Sequence, residues 1–150
     1  MLTLTTENKT INLVFKTKKL VDISNKLKGK NFEDVFFKAI SNLDLDALSK
    51  IIFLLAEYNN EKDAFSSSTE VYDFIDEYKI ENKKAYIDIF KEIAEAVNNE
   101  GFFNMKMTKK QLEEKILNPL LQMNLEDITK SSIEKAMAQI AAEQITISMV

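Results

Sequence analysis

The chain has 150 residues, 45% hydrophobic and 29% charged, with two Gly and one Pro; that is long enough for one buried core, and the scarcity of helix breakers favours helix over disorder. His, Cys, Trp and Arg are absent, which excludes imidazole and thiolate nucleophiles, disulfides and the usual zinc ligand sets. The net charge of −4, with every side-chain cation a Lys, opposes a phosphate backbone and lacks the guanidinium fork used for base readout, so nucleic acid is not an expected partner.

In chain order, Leu2 and Leu4 alternate with Thr3 and Thr5, and Ile11, Leu13 and Phe15 alternate with Asn12, Val14 and Lys16. With Glu7-Asn8-Lys9 between them, the two runs predict a hairpin whose apolar face must pack on the helices that follow. Leu20, Ile23 and Leu27 then recur at helical spacing and predict a helix over 17–28, ended by Gly29, which tolerates positive φ. Asn31 is placed to cap a second helix with an inner stripe of Phe32, Val35, Phe36, Ala39 and Ile40, leaving Phe37 off the stripe. Asp44 opens a third, bearing Leu45, Leu48, Ile51, Ile52, Leu55 and Tyr58, with Phe53 and Leu54 widening the apolar face; it is expected to be central.

Residues 59–68, NNEKDAFSSS, have no period and predict the longest internal loop. Ser67 with Glu70 fits a capping box for a helix carrying Val71, Phe74, Ile75 and Tyr78. Asn82 is the expected cap of the next, whose stripe is Tyr86, Ile89, Phe90, Ile93, Ala94 and Val97, with Gly101 at its end. Thr108 with Gln111 opens a helix through Leu112, Ile116 and Leu120 that Asn118-Pro119 should break. Ser131 with Glu134 opens the last, through Ile133, Met137, Ile140 and Ala141, and Ile145, Ile147 and Met149 alternate towards Val150. The expected fold is therefore mainly α, a multi-helix bundle with a small N-terminal β-hairpin, residues 1–100 forming hairpin and helical core and residues 101–150 a helical extension packed on or flanking it.

No apolar run approaches the ~20 residues of a bilayer span, and the opening MLTLTTENKT lacks a signal-peptide pattern, so a cytoplasmic location is expected. Catalytic, metal and cofactor sites are not expected. Asp73, Asp76, Glu77 and Glu81 could share a face as a carboxylate pair or cation site, but they lie opposite an apolar stripe and read as solvated helix surface, as do Glu113 and Glu114. Residues 61–100 hold 5 Lys against 11 Asp and Glu, again read as solvated faces, with a dock for a basic partner as the less favoured reading. Lys28 and Lys30 around Gly29 lack a phosphate loop's Gly spacing and preceding strand, and read as a turn between helices.

The segment GFFNMKM crowds Phe102, Phe103, Met105 and Met107 without a helical stripe, and such residues suit adaptable binding surfaces as well as a tucked linker. Ile145, Ile147 and Met149 form a second candidate contact, able to add a strand to a partner's sheet edge. Off-stripe Phe37, Phe53 and Ile87 leave more apolar surface than a small bundle hides, so a homo-oligomer is a further expectation.

An N-terminal hairpin ending in Leu13-Val14-Phe15, followed by KTKKLVDISNKL, NFEDVFFKAI, LDLDALSKIIFLLAEY and STEVYDFIDEY, resembles the tail assembly chaperones of long-tailed phages and prophages of Gram-positive bacteria. The resemblance covers roughly the first 100 residues and rests on hydrophobic spacing and order. It implies a non-catalytic helical protein that keeps the long tape measure protein soluble until tail tube subunits polymerise around it. With the candidate residues above as partner contacts, replacing Phe102 and Phe103 by Ser is expected to spare the fold and abolish solubilisation; loss of helical signal would instead mark them as core. A structural virion adaptor, a regulatory or antitoxin-like binding module, and an enzyme limited to Asp, Glu, Lys or Tyr chemistry are the competing readings.

Overall fold

The computed structural model describes residues 1–58 and 62–117. It is mainly α, with a small antiparallel sheet at its N-terminal end: β1 (Leu2–Thr5), β2 (Thr10–Leu13), α1 (Thr17–Lys26), α2 (Phe32–Asn42), α3 (Leu45–Leu55), β3 (Ala56–Tyr58), β4 (Lys62–Asp63), α4 (Ser68–Asn82) and α5 (Tyr86–Asn99). A sixth helix, α6, covers 109–117. The expected break at Asn118-Pro119, the helix from Ser131, and the Ile145, Ile147 and Met149 contact lie outside the described residues.

The hairpin forms in the register its alternation requires. Leu2 faces Leu13 and Leu4 faces Ile11, so one face carries the buried Leu4, Ile11 and Leu13. Thr3 and Asn12 pair on the other face, where the Thr3 hydroxyl donates to Asn12 Oδ1 at 2.8 Å. The turn is moored to α4, because Glu7 N–H donates to Glu81 and Asn8 Nδ2 to Glu77.

The loop expected over 59–68 is corrected in part: Lys62–Asp63 form a strand, whereas 64–67 have no regular structure. β3 pairs with β2 and β4 with β3, all antiparallel, in the order β1-β2-β3-β4. The chain leaves α3 directly into β3, and Val14 N–H donates to Leu55 O at 3.0 Å across the junction. Tyr58, expected on the inner face of α3, therefore sits in a strand and is 45% exposed, since helical spacing no longer applies beyond Leu55. Ala64 and Phe65 are buried, Phe65 meeting Phe74 edge-on at 5.7 Å between centroids. On the opposite face of β3, Lys19 beside Glu57 holds that carboxyl below the usual carboxylate range.

Helix ends show which local signals acted. Asn31 accepts from Asp34 N–H at 2.9 Å and Asp44 from Ala47 N–H at 3.0 Å, as their cap positions demand. Thr108 and Gln111 complete both halves of their box, at 2.9 and 3.1 Å. The box expected at Ser67 does not form: its side chain makes no cap bond, and Glu70 accepts from the N–H of Ser66, one residue before the cap. Asn82 does not cap α5: it is the last residue of α4 and donates to Tyr78 O, leaving Ala85 at the N-cap with Asp88 accepting its N–H at 2.8 Å. Gly101 ends α5 with φ 78°.

The turn between α1 and α2 differs from its expectation in an instructive way. Lys28, not Gly29, takes the left-handed conformation, with φ 58°. Gly29 is needed for a close approach, because a Cβ there would overlap Val35 Cγ1 and crowd Asp34 Oδ2 at 2.9 Å. Gly29→Ala is therefore expected to cost ~1–3 kcal/mol. Lys28→Gly, by contrast, should gain up to ~1 kcal/mol. Urea midpoints of the two variants, read against the parent, check this pair; a destabilised Lys28→Gly with a neutral Gly29→Ala would reverse the assignment.

The core draws on helices α1 to α6 and on β1, β2 and β3. Ile51, Ile52, Leu48 and Leu55 of α3 are fully buried, as are Phe36 and Ile40 of α2 and Phe90, Ile93 and Val97 of α5. Among the described residues no helix is long and apolar enough to cross a membrane.

Candidate functional site

The segment after α5 combines a fixed part and an open part. Gly101 turns the chain, Phe102 N–H donates to Val97 O at 3.0 Å, and Phe103 enters the core with its ring 5.2 Å from Phe37, 5.9 Å from Phe36 and 6.2 Å from Phe32. At 5% exposure, Phe103 is corrected from a candidate partner contact to a core residue. It also covers Phe37, whose ring carries the Lys115 ammonium on its outer side at 4.7 Å. An off-stripe aromatic on α2 was thus the sequence signal for a cover arriving from elsewhere in the chain.

The other three candidates divide. Phe102 is half-buried, its ring 6.3 Å from Phe15, and Met107 is half-buried against the core. Met105, 78% exposed, points away from the body. Phe53 and Ile87 are likewise half-buried against the core.

Two polar anchors hold α6 in place. Buried Asn98 of α5 makes a reciprocal pair with the backbone of Met107, donating to its carbonyl and accepting from its N–H, both at 2.9 Å. On α2, Glu33 accepts from Asn104 N–H at 3.3 Å, Asn104 Nδ2 at 3.2 Å and Lys115 Nζ at 3.2 Å. Residues 101–117 are thereby tied to both α2 and α5.

Between α5 and α6 an open cleft of about 540 Å³ remains. One wall is the row Lys91, Glu95, Asn99, the other the row Lys109, Glu113, Leu117, and its floor is Met107, Leu112 and Ile116. Each row has i, i+4, i+8 spacing, one face of a helix over two turns. The cleft was not expected from sequence: Leu117 falls off the Leu112–Ile116 stripe, and being 43% exposed it was the available signal.

Elsewhere the polar groups serve the fold. Asp73 and Asp76 are exposed, while Glu77 and Glu81 hold the β1–β2 turn. Among the described residues no group of three or more potential ligands could hold a metal ion. The half-buried cluster of Tyr78, Lys84 and Glu92 links α4 to α5: the Tyr78 hydroxyl donates to Glu92 at 2.9 Å and the Lys84 ammonium bonds the same carboxylate. Burial, and then Glu92, push the Tyr78 hydroxyl up, and Glu92 pushes Lys84 up. Both groups therefore hold their protons at neutral pH, the reverse of what a general base requires. No protein-family model, curated protein or solved structure matches this chain.

Proposed function

We propose that the chain is a non-catalytic tail assembly chaperone that binds and solubilises a tape measure protein during phage tail morphogenesis. The observation that carries this reading is the open, apolar-floored cleft between α5 and α6, with Leu117 exposed on its wall. Grooves of this kind take the apolar stripe of a partner helix. A tape measure protein is a very long helical chain whose stripes would otherwise self-associate, and many such stripes in a row let modest single contacts suffice. Support also comes from the order of the hairpin and helical motifs over the first 100 residues, and from a chain that holds neither imidazole nor thiol.

Co-expression with the long, coiled-coil-rich protein encoded just downstream tests the proposal. The expected result is that this partner becomes soluble and co-purifies, while purified particles lack the chaperone by mass spectrometry. A partner that stays insoluble with this chain alone in the supernatant overturns the reading, and detection of the chain inside particles would move it to a virion adaptor.

A further inference from the structure

The charges around the α5–α6 cleft are ordered along its length. Asn98 ties the end of α5 to Met107, just ahead of α6, and Lys91 lines the same cleft as Leu117, so α6 runs back along α5. One end of the cleft therefore carries Lys91, the middle Glu95 and Glu113, and the far end Lys106 and Lys109. None of these five side chains forms an ion pair among the described residues. The pattern along the cleft is cation, anion, cation, its far cations coming from Lys106 and Lys109, over a length matched by the span from Lys91 to Asn99 of α5, about 12 Å of helix.

We infer that the cleft is the docking site for a partner's amphipathic helix that carries Lys or Arg beside the middle of its apolar stripe and Asp or Glu at both ends, a charge order complementary to the Lys91, Glu95/Glu113, Lys106/Lys109 sequence of the rims. This deepens the chaperone reading, on which it rests for the partner's identity. The two walls are parallel rows on two helices, which shape a trough for a third helix; a small-molecule site would instead converge a few polar groups on one point. Leu112 and Ile116 supply a dry floor and Leu117 an exposed apolar lip. A second copy docked cleft against cleft is a poor occupant, because either direction places Lys over Lys at the ends and Glu over Glu in the middle. Like-charge juxtaposition of this kind rejects a partner more sharply than the matched arrangement attracts one.

The probe is a pair of synthetic helical peptides of about four turns, with identical leucines at i, i+3, i+4 and i+7. One carries Lys in the middle and Glu at both ends, and the other has every charge inverted. Fluorescence anisotropy with the full chain at low salt should show the first binding about tenfold more tightly or better. The preference should narrow in a Glu95→Lys/Glu113→Lys protein, whose two changes are on exposed positions, because the middle contact reverses while Lys91, Lys106 and Lys109 still favour the first peptide at the ends, and Leu117→Asp should weaken both peptides. Equal binding of the two peptides to the parent protein, absence of binding, or a preference untouched by the charge reversal overturns the inference; the parent comparison alone decides if the double variant loses its helical signal. Co-expression separates this from the chaperone reading. A tape measure protein solubilised equally by parent and Leu117→Asp would sink the cleft and leave the chaperone, whereas one that the parent fails to solubilise sinks the chaperone whatever the peptides do.

Discussion

Phe103→Ala is expected to lower the unfolding free energy by ~3–5 kcal/mol, the range for deleting a buried aromatic side chain. The ring is 5% exposed and lies within about a ring diameter of Phe32, Phe36 and Phe37. Its removal uncovers Phe37 and leaves a hole that α2 cannot close, because Phe36 is pinned against Phe90 on the far side at 6.1 Å. Met105→Ser, two residues on, should change stability by less than ~0.5 kcal/mol, because Met105 is 78% exposed. Urea denaturation followed by circular dichroism checks both, and a near-neutral Phe103→Ala would return that residue to the binding surface. The consequence for any functional test is direct. A Phe102/Phe103 double substitution confounds stability with binding, whereas Met105 and Leu117 can be altered without touching the core.

Periodicity carries far in this chain where elements are long. The stripes of α2, α4 and α5 are buried at nearly every position that spacing selects, including Val35, Phe36, Val71, Phe74, Ile89 and Ile93, because a helix of three turns or more repeats its apolar face often enough to be recognised. The hairpin is equally legible, since alternation over two strands admits only one register that buries Leu4, Ile11 and Leu13 together. β3 and β4 escape notice for the complementary reason. Strands of three and two residues hold no repeat, and they exist because β2 offers β3 a free edge and β3 in turn offers one to β4, a tertiary cause invisible in a local window.

The candidate site was legible as a region and illegible as a surface. GFFNMKM stood out by composition, yet composition does not say which aromatic turns inward. That is decided by Glu33, 71 residues from Asn104 and 82 from Lys115, and by the off-stripe ring of Phe37. The cleft lies deeper still, since it is a property of two helices and no single stripe announces it. Leu117, one residue beyond the α6 stripe and outside any expected site, is its most exposed apolar wall.

Asn98→Ala is expected to cost ~2–3 kcal/mol, through the loss of both partners of the Met107 backbone at once. Asn98 is 5% exposed and spends its amide on one residue, with N–H and C=O of Met107 each met at 2.9 Å. Since Met107 stands immediately before the Thr108 cap, the loss should fall on α6: hydrogen exchange over 109–117 should accelerate while the amides of α2 and α3 keep their protection. Asn98→Asp separates the two bonds. Its carboxylate still accepts from Met107 N–H but faces the Met107 carbonyl with no proton to donate, so it should be at least as unstable as Asn98→Ala at neutral pH. Burial and the facing carbonyl both raise that carboxyl's pKa in the folded state, so the deficit relative to the parent should shrink as pH falls through it and the protonated oxygen becomes a donor. A deficit that stays constant from neutral to acidic pH would mean that the bond to the Met107 carbonyl contributes little to the clamp. The cleft is the functional readout of the same clamp. With α6 released, the Lys109, Glu113, Leu117 row no longer stands opposite Lys91, Glu95 and Asn99, and peptide binding should fall in Asn98→Ala even where most of the helical signal survives.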